Sequence, residues 1–266
     1  MNIFSAIIMG IVQGLTEFLP VSSSGHLVLL ERIFGIYQNQ ILINVALHVA
    51  TLCAVIIMFR KDIYEMVKHP FSKINKSLVI SVIPTVIIVL IFKDIFEDSF
   101  SGYPTFGFLF TALILIICQS LVKSKIKMKD TSYNEEQPIN VNYKTAILAG
   151  VMQGVAVFPG VSRSGSTIST LLISGTTRES AVKFSFLMSI PIIIASLVYE
   201  LFKLPAQQVA NWYYILVGFI FAFVFGLVAI KIMIRVVKNA SYLGFAVYLI
   251  ILSIFLTLNQ FIYNWF

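Results

Sequence analysis

Three ionisable residues stand inside stretches that are otherwise apolar. Glu17 lies in GIVQGLTEFLP, His26 follows the run SSSG, and Arg163 lies in PGVSRSGST. An ionisable side chain at membrane depth costs roughly 2.5–3.5 kcal/mol on insertion scales, so such residues are functional candidates by default. Gln13 precedes Glu17 by four positions, which places both side chains on one face of a helix. These four residues are the core of the candidate site.

Each ionisable stretch also contains a hydroxyl-rich turn. Serine is a preferred helix N-cap, and a helix N-terminus offers unpaired N–H groups and a partial positive charge to an anion. The second turn adds the guanidinium of Arg163, which can bind phosphate through two parallel hydrogen bonds. The sequence therefore predicts a phosphate cradle. Its predicted phosphate-binding residues are Ser22, Ser24 and Gly25 in the first turn and Ser162, Ser164, Gly165, Ser166 and Thr167 in the second.

This set of side chains has what phosphate hydrolysis requires. Ser23 or a water molecule can attack phosphorus, with His26 as base or as acid for the leaving group. The sequence leaves open whether Ser23, His26 or water is the nucleophile. Arg163 and helix N–H groups can stabilise the charge that develops on phosphate oxygens. Glu17 and Gln13 supply oxygen ligands suited to Mg²⁺ or Ca²⁺. The predicted catalytic residues are Glu17, Ser23, His26 and Arg163, and the predicted metal ligands are Glu17 and Gln13.

Structural interpretations of the same residues exist. Serine- and glycine-rich turns often serve only as helix ends or close packing points, and a Glu–Arg pair can be purely structural. Glu17 is interpreted as the only acidic residue inside a hydrophobic hairpin, with the other eleven in loops or near helix ends. His48, among Val, Ala, Leu and Thr, is interpreted as a packed or hydrogen-bonded helix residue.

The elements that carry these residues are membrane helices. The chain has 266 residues, of which 58% are hydrophobic and 12% charged, whereas globular chains carry about 25% charged residues. We predict an all-α membrane protein with six spanning helices, because runs of roughly 20 apolar residues cross a bilayer. They cover about 43–59, 78–93, 104–122, 180–199, 212–230 and 241–262. The net charge of +7 comes mostly from short loops, which argues against a nucleic-acid partner.

Regions 3–34 and 144–177 are apolar but interrupted by Pro, Gly and Ser, and each is predicted to form two half-helices of a re-entrant hairpin. Residues 10–25 and 150–165 match without gaps at eight of sixteen positions, so the hairpins are repeats. We therefore predict one membrane domain, 1–266, with repeat one at 1–123, a solvated cytoplasmic linker at 124–142 and repeat two at 143–266.

Lysine and arginine segregate strongly between alternate loops. Loops 60–77, 123–144 and 231–241 carry thirteen, and loops 32–42, 93–103 and 200–212 carry three. The positive-inside rule places the first set in the cytoplasm and both termini outside. The two repeats then have inverted topology, which is typical of proteins whose binding site lies near the midplane.

The stretches QGLTEFLPVSSSGHL (13–27) and PGVSRSGSTI (159–168), with weaker support from KFSFLMSIP (183–191), resemble the undecaprenyl-pyrophosphate phosphatase, or bacitracin-resistance protein, family. The resemblance implies hydrolysis of undecaprenyl pyrophosphate to the monophosphate in the bacterial plasma membrane. It also implies carrier recycling for cell-wall synthesis, bacitracin resistance, divalent-cation dependence and a site reached from the outer face. The family's first acidic-motif position can be Glu or Gln and here is Gln13, so a single carboxylate is available.

A different class of function uses the same architecture. Inverted repeats with broken helices also occur in secondary transporters, which would flip a lipid phosphate without cleaving it. His26 and the serines exceed what binding requires, which favours the enzyme; a non-catalytic anion-binding scaffold is a third alternative. The expected partners are a polyprenyl pyrophosphate and membrane lipid. A homodimer is compatible with the sequence, which does not define the oligomeric state.

Overall fold

The computed structural model describes residues 2–36, 40–92, 95, 104–126, 139–202, 211–239 and 242–263, and in these ranges the chain is helical without strands. The first half contains α1 (Ile3–Phe18), α2 (Ser23–Phe34), α3 (Gln40–Met58), α4 (Arg60–Lys68), α5 (Lys73–Ile91) and α6 (Thr105–Ile126). The second contains α7 (Tyr143–Val155), α8 (Arg163–Ile173), α9 (Arg178–Phe202), α10 (Trp212–Asn239) and α11 (Leu243–Leu258). A short π-helix, Asn259–Tyr263, follows α11.

Six helices are long and apolar enough to cross a membrane, which confirms the predicted spans. They are Ile41–Met58, Lys73–Ile91, Thr105–Val122, Arg178–Phe202, Trp212–Lys238 and Leu243–Ile262. The largest differences from the predicted boundaries are at α5, which begins five residues earlier than 78, and at α10, which continues past 230 to include Lys231 and Arg235. Basic side chains of this length can extend along a helix towards the membrane surface, so charge alone does not end a helix.

Both predicted breaks between half-helices are present. Ser22 caps α2 by accepting a hydrogen bond from the N–H of Gly25 (3.4 Å), and Ser162 caps α8 by accepting one from Gly165 (3.1 Å). The same cap at matched positions of the two repeats explains why a new helix begins there in each repeat. The re-entrant path and the inverted membrane orientation stay predictions.

The first helix of each half packs against a helix of the other half. α1 packs along α10 of the second half, and α7, its counterpart, packs along α5 of the first half. Glycines allow both approaches: a Cβ at Gly14 would lie 2.8 Å from the backbone N of Gly226, and one at Gly150 would meet the Ser81 carbonyl oxygen. Small residues that bring backbones together are a general device for packing membrane helices. The first helix of each half is thereby packed against a helix of the other half.

The predicted solvated linker is wrong at its C-terminal end, where the chain packs into the core, and at its N-terminal end it overlaps a helix. α6 continues to Ile126, and Val141 is only 3% exposed because it packs in the core, where its carbonyl accepts a hydrogen bond from Ser77 (3.1 Å). The N–H of Asn140 also donates to Ser180 (3.1 Å). Residues 127–138 of the predicted linker lie outside the described residues. The loop predicted at 60–77 contains α4, which has no buried residue.

Candidate active site

The two hydroxyl-rich turns lie against each other. Ser164 donates a hydrogen bond to the carbonyl of Leu19 (3.1 Å), and Gly25 lies so close to Gly160 that a Cβ on Gly25 would come within 2.9 Å of the Gly160 Cα. Gly160 has φ +85, a backbone region that L side chains avoid. The N-termini of α2 and α8 therefore meet at one place, as the repeat pattern predicted.

Glu17, at the end of α1, is the centre of this site and is 6% exposed. One carboxylate oxygen accepts hydrogen bonds from the hydroxyl of Ser23 (2.5 Å) and from the amide of Gln13 (3.1 Å). Its other oxygen forms an ion pair with Arg163, 146 residues away in the chain. The carboxylate of Glu17 on α1 therefore contacts the hydroxyl of Ser23 on α2 and the guanidinium of Arg163 on α8 directly.

Only some of the predicted residues face an accessible space. Ser23, Ser24 and Arg163 are partly exposed, whereas Gln13 and Glu17 are buried behind them. The partly exposed groups combine a nucleophile, a second hydroxyl and a cation at the starts of α2 and α8, where the first N–H groups lack helical partners. A phosphate group approaching the site would meet these groups first.

Most of the other predicted phosphate ligands are buried, and several of their polar groups are engaged in the fold. Their hydroxyls make short-range contacts: Ser22 with Ser24 (3.3 Å), Ser162 with Ser164 (3.3 Å), and Thr167 with the Arg163 carbonyl (2.8 Å) and with Ser185 (2.6 Å). Ser166 is buried, and its hydroxyl has no hydrogen-bond partner within the described structure. Direct phosphate binding by Ser22, Ser162, Ser164, Ser166 and Thr167 therefore stays a prediction, as does the role of Gly25 and Gly165, whose N–H groups are used by the caps.

His26 is beside the site, but its contacts differ from those of a base acting on Ser23. Its Nδ1 lies 2.7 Å from the Ser22 carbonyl oxygen, and its Nε2 lies 2.7 Å from the hydroxyl of Tyr248. The hydrogen bond of Ser23 goes to Glu17 instead. Tyr248, on α11, is a contact that sequence reasoning missed, since nothing in its surroundings distinguishes it from a lipid-facing tyrosine.

Thr111 is a second missed residue. Its hydroxyl, on α6, shares its one proton between the Gly160 carbonyl (3.0 Å) and the Gly107 carbonyl of its own helix (2.9 Å). The same oxygen accepts a hydrogen bond from the N–H of Ser162 (2.9 Å). Thr111 therefore fixes the backbone just before α8. The one signal in the sequence for this role is a threonine inside an otherwise apolar stretch.

The description of Glu17 as the only acidic residue inside a hydrophobic hairpin is wrong. Glu31 lies in α2, is 8% exposed and accepts a hydrogen bond from the Asn44 amide (2.8 Å). The next turn of α3 holds His48, whose Nδ1 donates to the Asn44 carbonyl (2.8 Å), in line with its interpretation as a hydrogen-bonded helix residue. A sequence cannot show that the end of α2 turns back into the bundle.

The metal prediction has limited support from the side chains. The described residues contain no group of three or more His, Cys, Asp and Glu that could hold a metal ion. Gln13, however, keeps a buried amide oxygen without a hydrogen-bond partner, next to Glu17. These two residues offer oxygen ligands that suit a hard cation, but far fewer than the six or more such an ion takes.

A groove of about 630 Å³ lies between α1, α10 and α11 beside this site. Its lining is mostly apolar and includes Leu15, Leu19, Phe245 and Tyr248, with the side chain of Arg235 at the same groove. Tyr248 therefore contacts His26 and also lines the groove.

A bundle of six helices long and apolar enough to span a membrane, with the carboxylate at the end of α1 joined to a hydroxyl and a guanidinium at the starts of α2 and α8, defines an integral membrane protein with a polar site among its helices. Residues 6–255 match the family model described as Bacitracin resistance protein BacA. The chain belongs to this family.

Curated relatives extend the comparison over nearly the whole chain. An undecaprenyl-diphosphatase from Carboxydothermus hydrogenoformans is 40% identical over 98% of this chain and 98% of its own length. Proteins of the same name from Halothermothrix orenii and Christiangramia forsetii are each 38% identical, over 96% of this chain and 96% and 97% of their own lengths.

Proposed function

We propose that this protein hydrolyses undecaprenyl pyrophosphate to undecaprenyl phosphate and inorganic phosphate. The observation that carries the proposal is the direct link of Ser23, Glu17 and Arg163, in a chain similar to undecaprenyl-diphosphatases over nearly its full length. A site built only to bind an anion has no need of a carboxylate that accepts the proton of an accessible hydroxyl. This pairing of nucleophile and base favours cleavage.

In the proposed reaction, Ser23 Oγ attacks the terminal phosphorus of the lipid pyrophosphate and its proton passes to Glu17. The bond from that phosphorus to the bridging oxygen breaks, and undecaprenyl phosphate leaves with the electron pair. Glu17 returns its proton to the leaving lipid phosphate and then takes one from a water molecule that attacks the phosphoserine. Inorganic phosphate leaves, and Ser23 regains its proton through Glu17.

Arg163 supplies the positive charge for both steps. Its guanidinium pairs with Glu17 and is itself partly exposed, so it can reach phosphate oxygens that gather charge as each bond breaks. Donors placed in advance at such a position typically accelerate a step by about 10²–10³. The N–H groups that start α2 and α8 act in the same sense.

We further propose that a Mg²⁺ or Ca²⁺ ion enters with the substrate. Gln13, through its unpartnered oxygen, and Glu17 would hold one side of the ion, and pyrophosphate oxygens and water would complete its shell. The ion would offset phosphate charge during binding. Removing divalent cations with a chelator should then lower turnover. Gln13→Glu should lower the Mg²⁺ concentration that gives half-maximal turnover.

The proposed place of action is the bacterial plasma membrane, with both termini and the entrance to the site outside. The thirteen-to-three segregation of basic residues supports this orientation. The reaction would return the carrier lipid to cell-wall synthesis and remove the pyrophosphate form, which accounts for the resistance named in the family's description.

The decisive experiment measures phosphate release by the purified protein from undecaprenyl pyrophosphate in detergent. We expect turnover by the wild type, at least ~100-fold less with Ser23→Ala, and normal turnover with the control Ser120→Ala. Ser120 is an exposed serine whose hydroxyl donates to the Ile116 carbonyl of its own helix (2.9 Å). Acid quenching with labelled substrate should trap phosphoserine in the wild type.

Other outcomes identify the rival functions. Lipid phosphate that crosses proteoliposomes without release of phosphate would make the protein a transporter, and binding alone would make it an anion-binding scaffold. Full turnover by a folded Ser23→Ala variant would instead assign the attack to water.

A further inference from the structure

His26 is held from both sides of its ring. A carbonyl oxygen can only accept, so Nδ1 carries the proton that it shares with the Ser22 carbonyl at 2.7 Å. In the neutral ring Nε2 is then an acceptor, and the Tyr248 hydroxyl at 2.7 Å donates to it. Both nitrogens are used, and the ring has one defined tautomer.

The backbone at Ser22 explains why this tautomer matters. Ser22 has φ 69, the only positive φ among the described residues other than glycines. Such a conformation is strained for a residue with a side chain and persists only where its surroundings hold it. The hydrogen bond from His26 Nδ1 to the Ser22 carbonyl is one of these supports. The turn held in this way leads directly into Ser23, whose hydroxyl reaches Glu17 at 2.5 Å.

Tyr248 reaches this turn from the other end of the chain. It is 222 residues from His26, and the two rings stack with centroids 5.8 Å apart and planes 13° apart. Phe108 closes another side of the imidazole, edge-on at 5.2 Å. His26 is 8% exposed, whereas Tyr248 is 45% exposed and lines the apolar groove.

We propose that Tyr248 is a positioning residue for the reaction. Its hydroxyl keeps His26 in the tautomer whose Nδ1–H holds the Ser22 carbonyl, and this contact keeps Ser23 aligned with Glu17. The inference rests on the proposed hydrolysis for its kinetic consequence but not for its structural one. It also gives His26 a supporting task in place of proton transfer to or from the substrate.

The kinetic test is Tyr248→Phe, which keeps the stacked ring and the groove lining and removes only the hydroxyl. We expect kcat to fall roughly 10-fold, the effect of one hydrogen bond of average strength, with KM unchanged. Tyr213→Phe is the matched control, because Tyr213 is similarly exposed (48%) and lies at the start of α10, away from His26 in the chain and from the lining of the groove. A rise in KM at constant kcat would mean that Tyr248 contacts the lipid and would overturn the proposal, as would a wild-type kcat.

A double-mutant cycle tests whether Tyr248 acts through His26. In a His26→Asn background, Tyr248→Phe should cost nothing further, because the acceptor of its hydrogen bond is gone. Two independent losses that multiply would contradict the proposal.

A measurement without turnover separates this inference from the proposed function. The chain has three histidines, so ¹⁵N-histidine NMR of the purified protein resolves each ring, and His26→Asn assigns the signal. We expect the Nδ1–H tautomer at His26 in the wild type and a mixture with the Nε2–H form in Tyr248→Phe. The same tautomer in both proteins would refute the positioning role, whether or not the protein releases phosphate.

Discussion

The Arg163→Lys substitution tests whether the two repeats build one catalytic site. Arg163 and Glu17 form an ion pair whose side chains are 15% and 5% exposed. Removing one partner of a buried pair costs about 3–5 kcal/mol of stability, because the other charge is left without compensation. Arg163→Ala should therefore lower thermal stability strongly, whereas Lys keeps the charge and should keep most of the stability.

Turnover should respond differently from stability. An ammonium cannot present the two parallel donors of a guanidinium to phosphate oxygens. Losing such a donor from a preorganised site costs about 2.7–4 kcal/mol in the transition state, or 10²–10³ in kcat. We therefore expect Arg163→Lys to lose at least ~100-fold in turnover while its unfolding temperature stays close to that of the wild type.

The assay combines phosphate release with thermal unfolding in the same detergent. Arg60→Lys is the matched control, because Arg60 is exposed and donates to the Ile57 carbonyl (3.3 Å), away from the candidate site. An Arg163→Lys protein that is stable and turns over at nearly the wild-type rate would refute the shared site and leave the pair as a structural contact.

Three further predictions concern the base, the packing and the topology. Glu17→Gln should lower the unfolding temperature, because Arg163 loses its counter-charge, and should reduce phosphate release by the folded protein at least ~100-fold, since the amide cannot take the Ser23 proton; near-normal release would exclude the assigned role. Gly150→Ala should cost about 1–3 kcal/mol of stability, because its Cβ would meet the Ser81 carbonyl oxygen, whereas Gly244→Ala, with nothing within 4 Å, should not lower the unfolding temperature. In a cysteine-free background, single cysteines at positions 100 and 130, both outside the described residues, should be labelled from outside and shielded respectively; the opposite pattern would reverse the orientation.

Much of this protein could be predicted from sequence because its strongest signals are local. Apolar runs of spanning length, serine caps and matched glycines act over a few residues, so the six spans and both helix breaks were predicted. The functional candidates also followed, since Glu17 and Arg163 are charges in apolar surroundings and the repeat related their turns. The errors occurred where local polarity was misleading, as at Glu31 and Val141, which are polar-flanked in sequence but buried in the fold.

The tertiary structure decided which residues meet. Sequence determined that Glu17 and Arg163 were both candidates, but only the exchange of α1 and α7 between the halves makes them partners across 146 residues. The tertiary structure also brings the Ser23 hydroxyl to Glu17 and the Tyr248 hydroxyl to His26. From the sequence, His26 was predicted to act as a base. The physical reason is that a helix forms from its own residues, whereas its neighbour is selected by close packing at glycines and by the need of every buried polar group for a partner.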